Sequence, residues 1–194
     1  MTVAQLLAAL ASPNPTPGGG TAAAIAGAMG TSLLMMVCGL AKSKNNLEPE
    51  KVALAAAKSA LEPVSMRLML LADADTQAFN DVMAAYRLPK ATDEDKTART
   101  GAIQAALRGA TEIPLETLRA CADALAHARP VAAYGNQSAA SDVGVAIGLL
   151  RAAAEGAAAN VRINLTGLKD DAFNRAAEAE TSQLLAAAAG HQTR

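Results

Sequence analysis

Residues 12–41 have the sequence SPNPTPGGGTAAAIAGAMGTSLLMMVCGLA, and this stretch decides the fold class. Its first part places proline at alternate positions and ends in three glycines, a pattern that removes backbone donors and prevents regular structure. Residues 21–41 then contain no charged side chain. A helix that is apolar on every side must be buried on every side. The pattern therefore predicts a central buried helix, with a partner subunit supplying part of its burial.

A membrane-spanning helix is the alternative for residues 21–41, because about 20 apolar residues cross a bilayer. Lys42 and Lys44 would suit the flank of such a helix. Much of the run is Ala, Gly, Ser and Thr, however, which insert weakly, and no other segment is comparable. We therefore expect a core helix and no membrane association. Residues 1–5 include no basic residue, unlike a signal peptide, and a cytoplasmic location is expected.

The composition favours closely packed helices in one domain. The chain has 194 residues, of which 52% are hydrophobic and 2% aromatic, and about a quarter are alanine. Alanine has the highest helix propensity, whereas strands favour the β-branched and aromatic residues that are scarce here. A net charge of −1 offers no basic surface for nucleic acid. Cys38 and Cys121 lie far apart, so both are interpreted as core residues of a protein without a disulfide scaffold.

Prolines, glycines and capping residues divide the chain into helices joined by short connections. Pro63 is expected to kink or divide one helix, and Pro114 to begin a new one. Ser138 or Ser141 is expected to cap a long helix. The predicted helices cover residues 3–11, 21–41, 48–86, 93–112, 114–128, 138–165 and 170–189. Because no strand alternation occurs, the predicted fold class is all-α, a multihelical bundle forming a single domain over residues 1–194.

The glycine-rich residues Gly18, Gly19, Gly20 and Thr21 lead into the N-terminus of a helix. They formally match the dinucleotide pattern G-x-G-x-x-A, but that pattern requires a preceding strand. A helix N-terminus presents unpaired N–H groups and partial positive charge, which bind carboxylates and phosphates. Alternatively, the glycines only let two backbones approach closely. The sequence leaves both interpretations open.

Three polar residues occur in an otherwise apolar helix. Asp142 lies in the first turn, where an acid either compensates the helix dipole or, if desolvated, acts as an acid or base. Asn160 and Asn164 share one helix face, and Asp142 lies on the same face about 27 Å from Asn160 along the helix axis. One subunit cannot place all three in one small pocket unless the helix breaks. A polar stripe of this length on an apolar helix indicates a groove, or a site completed across a dimer axis.

The remaining polar groups are less specific. Asp73, Asp75 and Gln77 are interpreted first as a solvated helix face. Lys44, with Lys42, either caps a helix C-terminus or holds a substrate carboxylate. The two histidines, His127 and His191, are isolated, and no histidine or cysteine cluster has metal-ligand spacing.

A series of motifs follows in order along the chain. They are PTPGGGTAAA at 15–24, MVCGL at 36–40 with Lys44 after it, the segment 73–86, LPKATDE at 88–94, Gly135-Asn136, SDVGVA at 141–146 and NVRIN at 160–164. Together they resemble the cyclodeaminase/cyclohydrolase family of folate enzymes. Ser43-Lys44-Asn45-Asn46-Leu47 departs from that family, which often has several lysines and a tyrosine there, and Gly39 replaces a more usual Asn.

The resemblance implies an all-helical homodimer with sites near the subunit interface and a tetrahydrofolate one-carbon substrate. It implies no metal or redox cofactor. Asp142 is then the expected main carboxylate, Asp75 the second candidate, and Lys44 a proton donor or anion anchor. The expected substrate-binding residues are the glycine-rich helix start and four polar side chains, namely Gly18, Gly19, Gly20, Thr21, Asn136, Ser141, Asn160 and Asn164.

Two enzyme activities and one non-enzymatic role remain open at this point. The first is methenyltetrahydrofolate cyclohydrolase, favoured by closeness to stand-alone bacterial members, including the loop 88–94, and by the lack of a fused formiminotransferase segment. The second is formiminotetrahydrofolate cyclodeaminase, which releases ammonia. The third is a helical interaction protein without catalysis, which would have no reason to place Asp142 and two asparagines in an apolar helix.

Overall fold

Six α-helices form the computed structural model, which describes residues 1–190. They are α1 (Val3–Leu10), α2 (Gly19–Cys38), α3 (Glu48–Arg87), α4 (Asp93–Tyr134), α5 (Ala140–Leu165) and α6 (Asp171–Ala189). A short 3-10 turn, Gln137–Ala139, precedes α5, and the described residues contain no strand. The all-α prediction is therefore confirmed.

Helices α2, α3, α4 and α5 form a four-helix bundle in which each helix packs against the next, and α5 closes the ring against α2. Helix α6 packs across α4 and α5. Small residues bring the helices close together: a Cβ on Gly30 would lie 2.7 Å from the carbonyl oxygen of Ala146, and one on Gly27 would lie 2.9 Å from Sγ of Cys121. This close packing explains how a chain with so few aromatic residues builds a core. The fully buried leucines are Leu34, Leu61, Leu68, Leu118, Leu125 and Leu150.

Helix α2 is buried along one side, and an apolar face of it stays open. Met29 is 54% exposed and Met36 is 41% exposed, while Ile25 and Leu33 beside them are half-buried. Among the described residues α2 alone has the length and hydropathy of a membrane span, and 44% of its most apolar window is buried in the bundle. One apolar face of α2 thus stays open in the single chain, which leaves part of the predicted burial for a partner subunit to supply.

Prolines do not divide the long helices. Helix α3 runs through Pro63, and α4 runs through Pro114 and Pro130. The predicted helix break before Pro114 and the predicted end near residue 128 are therefore wrong. A proline inside a helix costs about 3 kcal/mol, but α3 and α4 pack against each other with many buried side chains. Pro114 and its neighbour Leu115 are themselves buried, and Leu115 packs with Val161 of α5 and Ala177 of α6. This tertiary burial outweighs the local preference.

The start of α5 also differs from the prediction. Neither Ser138 nor Ser141 caps this helix, whose N-cap residue, Ala139, has no side-chain hydrogen bond. Instead, Asn136 caps the preceding 3-10 turn, where its Oδ1 accepts hydrogen bonds from the backbone N of Ser138 at 3.0 Å and from its Oγ at 2.8 Å. The side-chain cap therefore belongs to the 3-10 turn and not to α5.

Candidate functional site

The fold places the predicted site residues at two opposite ends of α5. We call the first group the Asp75 pocket, defined by the glycines at 18–20, Asp75, Asn160 and Asn164. The second is the Lys44 pocket, which Lys44, Asn136 and six neighbouring residues line. Because α5 is unbroken, the expectation that Asp142 and Asn160 cannot share a pocket within one chain is confirmed.

The Asp75 pocket is a cavity of about 260 Å³ between the glycine-rich stretch and helices α3, α4 and α5. Its polar groups come from Asp75, Asn160 and Asn164. Its apolar wall consists of Ala78, Phe79, Val82, Leu107 and Ala110. An apolar wall with a few fixed polar groups is the usual composition of a small-molecule site.

Asp75 is held against the start of α2. The hydroxyl of Thr21 donates to Oδ2 of Asp75 at 2.9 Å. A Cβ on Gly20 would lie 2.6 Å from Cγ of Asp75, so only glycine leaves room for this carboxylate. A carboxylate at a helix N-terminus is stabilised by the helix dipole. The interpretation of Asp73, Asp75 and Gln77 as one solvated face is therefore wrong for Asp75, although the other two side chains are exposed.

The two asparagines of the Asp75 pocket are each anchored through the side-chain amide nitrogen. Nδ2 of Asn160 donates to the carbonyl oxygen of Gly156 at 2.8 Å, and Nδ2 of Asn164 donates to that of Ala110 at 2.7 Å. Because a carbonyl oxygen only accepts, these bonds fix which atom of each amide is the nitrogen. Each amide keeps a second N–H on Nδ2 and its Oδ1 for further hydrogen bonds.

The Lys44 pocket is a cavity of about 310 Å³ at the other end of the bundle. The backbone N of Lys44 donates to the carbonyl oxygen of Tyr134 at 2.9 Å, which ties its loop to the end of α4. The Lys44 side chain is exposed at the cavity. Ser141 is exposed nearby, and Asn136 lines the cavity while its oxygen caps the adjacent turn.

Asp142 lies beside the Lys44 pocket, in the first turn of α5. Its side chain is half-buried and has no hydrogen bond or ion pair within residues 1–190. The next residue, Val143, lines the cavity. Within one chain this carboxylate therefore lies at the Lys44 end of α5 and far from the Asp75 pocket.

The sequence model of the formiminotransferase-cyclodeaminase family matches residues 2–183. The chain belongs to this family. It is 43% identical over 187 residues to a methenyltetrahydrofolate cyclohydrolase of Methylorubrum extorquens, and the match covers 96% of this chain and 90% of that protein. It is 34% identical to a formimidoyltransferase-cyclodeaminase of Sus scrofa, covering 89% of this chain and 32% of that protein.

The fold agrees with a solved member of the family. A formiminotetrahydrofolate cyclodeaminase from Thermotoga maritima superposes with a TM-score of 0.87 at 28% identity, over 98% of this chain and 91% of that one. The family resemblance seen in the ordered motifs is thereby confirmed.

The sequence analysis did not single out Glu50, whose carboxylate holds the Lys44 loop in place. Glu50 is buried and accepts from Oγ of Ser43 at 2.6 Å, from the backbone N of Asn45 at 2.9 Å and from its Nδ2 at 2.6 Å. The Ser43 hydroxyl is the main cause that lowers the pKa of Glu50 to about 2. Ser43 and Asn45 belong to the segment that departs from the usual family pattern. That departure was the signal that could have revealed the carboxylate.

The thiols and histidines do not form a further centre in the described part of the chain. Burial raises the pKa of the Cys121 thiol to about 12 and that of the Cys38 thiol to about 11, so both stay protonated at neutral pH. Within residues 1–190 no three His, Cys, Asp or Glu side chains are grouped as a metal site. His127 lies 3.7 Å from a carboxylate oxygen of Asp123, and His191 lies outside the described residues.

Proposed function

We propose that this chain is a methenyltetrahydrofolate cyclohydrolase, which hydrolyses 5,10-methenyltetrahydrofolate to 10-formyltetrahydrofolate. The observation that carries the proposal is 43% identity to a protein of that name over nearly the full length of both chains. Formiminotetrahydrofolate cyclodeaminase is the second candidate, because the structural neighbour of that name also aligns over nearly its full length. Both activities use the same folate one-carbon chemistry.

The chemistry starts from a substrate whose reacting carbon bridges N5 and N10 and carries positive charge. Water adds to this carbon, and a carboxylate that takes the water's proton also stabilises the cation. The tetrahedral intermediate then breaks its bond to N5, which receives a proton, while the new hydroxyl gives up its proton and becomes the carbonyl oxygen of the formyl group on N10. We assign the carboxylate role to Asp142. Because the carbon is already cationic, the reaction has no need of a metal or redox cofactor.

Neither pocket of one chain contains all the groups that this reaction needs. The Asp75 pocket holds acceptors, whereas Lys44 and Asp142 lie at the other end of α5. Between these ends α2 and α3 expose an apolar groove. Its lining residues are Ile25, Ala28, Met29, Ser32, Leu33, Met69, Ala72 and Asp73. An apolar surface of this kind between the two pockets favours a homodimer.

We propose a two-fold axis that crosses α2 near Met29. Such an axis turns the partner end for end, so the Asp75 pocket of one subunit meets the Lys44 pocket of the other. Each composite site then combines Asp75, Asn160 and Asn164 with Lys44 and Asp142 of the partner subunit. Asn136 and Ser141 join the site from the Lys44 side.

Lys44 is assigned to the anionic end of the substrate. Its exposed ammonium suits the carboxylates of the glutamate tail, whereas the Asp75 carboxylate would repel them. The glycine-rich helix start therefore shapes the Asp75 pocket. The Asp75 carboxylate of the protein itself occupies the place that a substrate anion would take there. The packing of α2 between α3 and α5 supports a core helix rather than a membrane span, and we propose a cytoplasmic protein.

The test is the loss of methenyl absorbance with purified protein, measured against the buffer-catalysed reaction. Ammonia release from formiminotetrahydrofolate is measured in parallel. Asp142→Asn should lower kcat about 100- to 10,000-fold, while Asp171→Asn, which changes a first-turn acid of α6, should leave it unchanged. Ammonia release without methenyl hydrolysis would replace the cyclohydrolase by the cyclodeaminase, and full turnover by Asp142→Asn would remove Asp142 from the chemistry.

A further inference from the structure

The Asp75 pocket contains a fixed carboxylate and no cationic side chain. Its polar side chains are Thr16, Asp75, Asn160 and Asn164, and no Lys, Arg or His is among its lining residues. The carboxylate accepts only, so it favours a ligand that presents N–H donors to it and repels an anion.

One part of a tetrahydrofolate matches this requirement. The pyrimidine ring of the pterin carries a 2-amino group and an N3–H side by side, and these two donors fit the two oxygens of one carboxylate. The p-aminobenzoyl ring lacks such a pair of donors, and the glutamate tail is anionic. The Asp75 pocket therefore selects the pterin end of the molecule.

The size and wall of the pocket agree with a ring of this kind. The cavity of about 260 Å³ lies below the usual range for drug-sized ligands, about 300–1,000 Å³, so it suits one bicyclic ring rather than a whole folate. Phe79, Val82 and Leu107 provide apolar contacts for the ring faces. The rest of the substrate then extends out of the cavity.

The carboxylate is fixed before any ligand arrives. Oδ2 of Asp75 accepts the Thr21 hydroxyl, and each carboxylate oxygen has a second lone pair for a ligand N–H. Because Gly20 has no side chain, the carboxylate has room to lie against the start of α2. Holding an acceptor in position reduces the entropy lost on binding.

We propose that Asp75 binds the 2-amino and N3–H edge of the pterin and thereby determines which ring the site accepts. This inference rests on the proposed folate substrate and adds a role for Asp75 apart from the water-activating carboxylate. Asn160 and Asn164 form hydrogen bonds to other polar atoms of the ring through their free amide groups. The reacting carbon, on the opposite side of the pterin, then lies toward Asp142 of the partner subunit.

The test compares dissociation constants for tetrahydrofolate and for its analogue in which a methyl group replaces the 2-amino group. The wild type should prefer the amino compound about 10- to 100-fold, as expected for hydrogen bonds to a charged group. Asp75→Asn, which keeps the shape but turns an acceptor into a donor, should reduce the preference to less than about threefold. Asp81→Asn is the matched control, because this carboxylate is exposed on the same helix and binds Gln77.

Thr21→Val provides a second variant, which keeps the Asp75 side chain but removes the hydroxyl that fixes its Oδ2 atom. We expect a preference for the amino compound between those of the wild type and Asp75→Asn. An unchanged preference in Asp75→Asn would overturn the inference, as would a fall in kcat with the preference intact, which would place Asp75 at the reacting carbon. Absence of any tetrahydrofolate binding by the wild type would overturn it together with the proposed function.

These outcomes separate the inference from the proposed activity. A wild type that prefers the amino compound but does not hydrolyse methenyltetrahydrofolate contradicts the cyclohydrolase and supports the pterin pocket. A wild type that hydrolyses the substrate without any preference for the amino compound contradicts the pterin pocket alone.

Discussion

The Asp75 pocket and the Lys44 pocket differ in how the chain builds them. Long helices supply the first: Asp75 lies on α3, both asparagines lie on α5, and the start of α2 closes it. Loops supply much of the second, and Glu50 fixes the Lys44 loop through residues close to it in sequence. The helical pocket contains a fixed carboxylate, and the loop pocket presents an exposed cation. The difference divides the proposed work between recognition of the pterin at one end and of the anionic tail at the other.

The largest effect is expected from separating the two pockets. Met29→Lys places a charge in the open apolar face of α2, where Met29 is 54% exposed, and desolvating that charge in a dimer interface is costly. We expect a monomer by light scattering and a loss of activity of at least about 100-fold. Leu7→Lys on α1, a helix without buried residues, is the control. If Met29→Lys remains a dimer with full activity, the proposed interface on α2, which joins the two pockets, is contradicted.

A methyl group at Gly20 should disturb the helical pocket alone. Its Cβ would lie 2.6 Å from Cγ of Asp75 and would displace the carboxylate, so Gly20→Ala should lower kcat/KM about 100-fold. Gly109→Ala, where a Cβ meets no atom within 4 Å, should keep wild-type activity. Equal activity in both variants would show that the position of Asp75 is unimportant.

Loss of the cation should disturb the loop pocket more mildly. Lys44→Met should raise KM for glutamate-tailed substrate about 10-fold with a smaller change in kcat, because a charge-assisted hydrogen bond is lost. Lys42→Met, at an exposed neighbouring position, serves as the control. If Lys44→Met instead lowers kcat, and does so even for a substrate without the glutamate tail, then Lys44 donates the proton to N5.

The smallest effect concerns the pH dependence of stability. The folded-state pKa of Glu50 is about 2, below its usual value of 4.5, so its contribution is present above pH 4.5 and is lost as the pH falls toward 2. Glu50→Gln should lower Tm by a few degrees at pH 7 and less at lower pH. A difference in Tm that stays constant between pH 7 and pH 3 would contradict this role of the carboxylate.

Sequence alone predicted the helical fold but misplaced features that tertiary contacts decide. The uncharged run 21–41 and the alanine content indicate packed helices directly. Pro114 has the local signature of a helix start, yet α4 continues through it and Pro114 is buried in the bundle. Local rules identify what a residue prefers in isolation, and tertiary packing overrides them.

The site was only partly visible in the sequence for a related reason. Helical spacing correctly put Asn160 and Asn164 on one face, and both line the Asp75 pocket. The contact between Thr21 and Asp75 joins positions 54 residues apart, and helical periodicity contains no information on it. Glu50 was missed because its partners lie in a loop that includes a positive φ at Asn46.

The most direct test of the composite site mixes two variants that are each defective in a different pocket. Asp75→Asn and Asp142→Asn homodimers are unfolded together, refolded, and assayed at limiting methenyltetrahydrofolate. If each site takes Asp75 from one chain and Asp142 from the other, half of the sites in every mixed dimer are intact, and random pairing restores about a quarter of wild-type activity. Activity no higher than that of the separate variants would contradict a site shared between subunits.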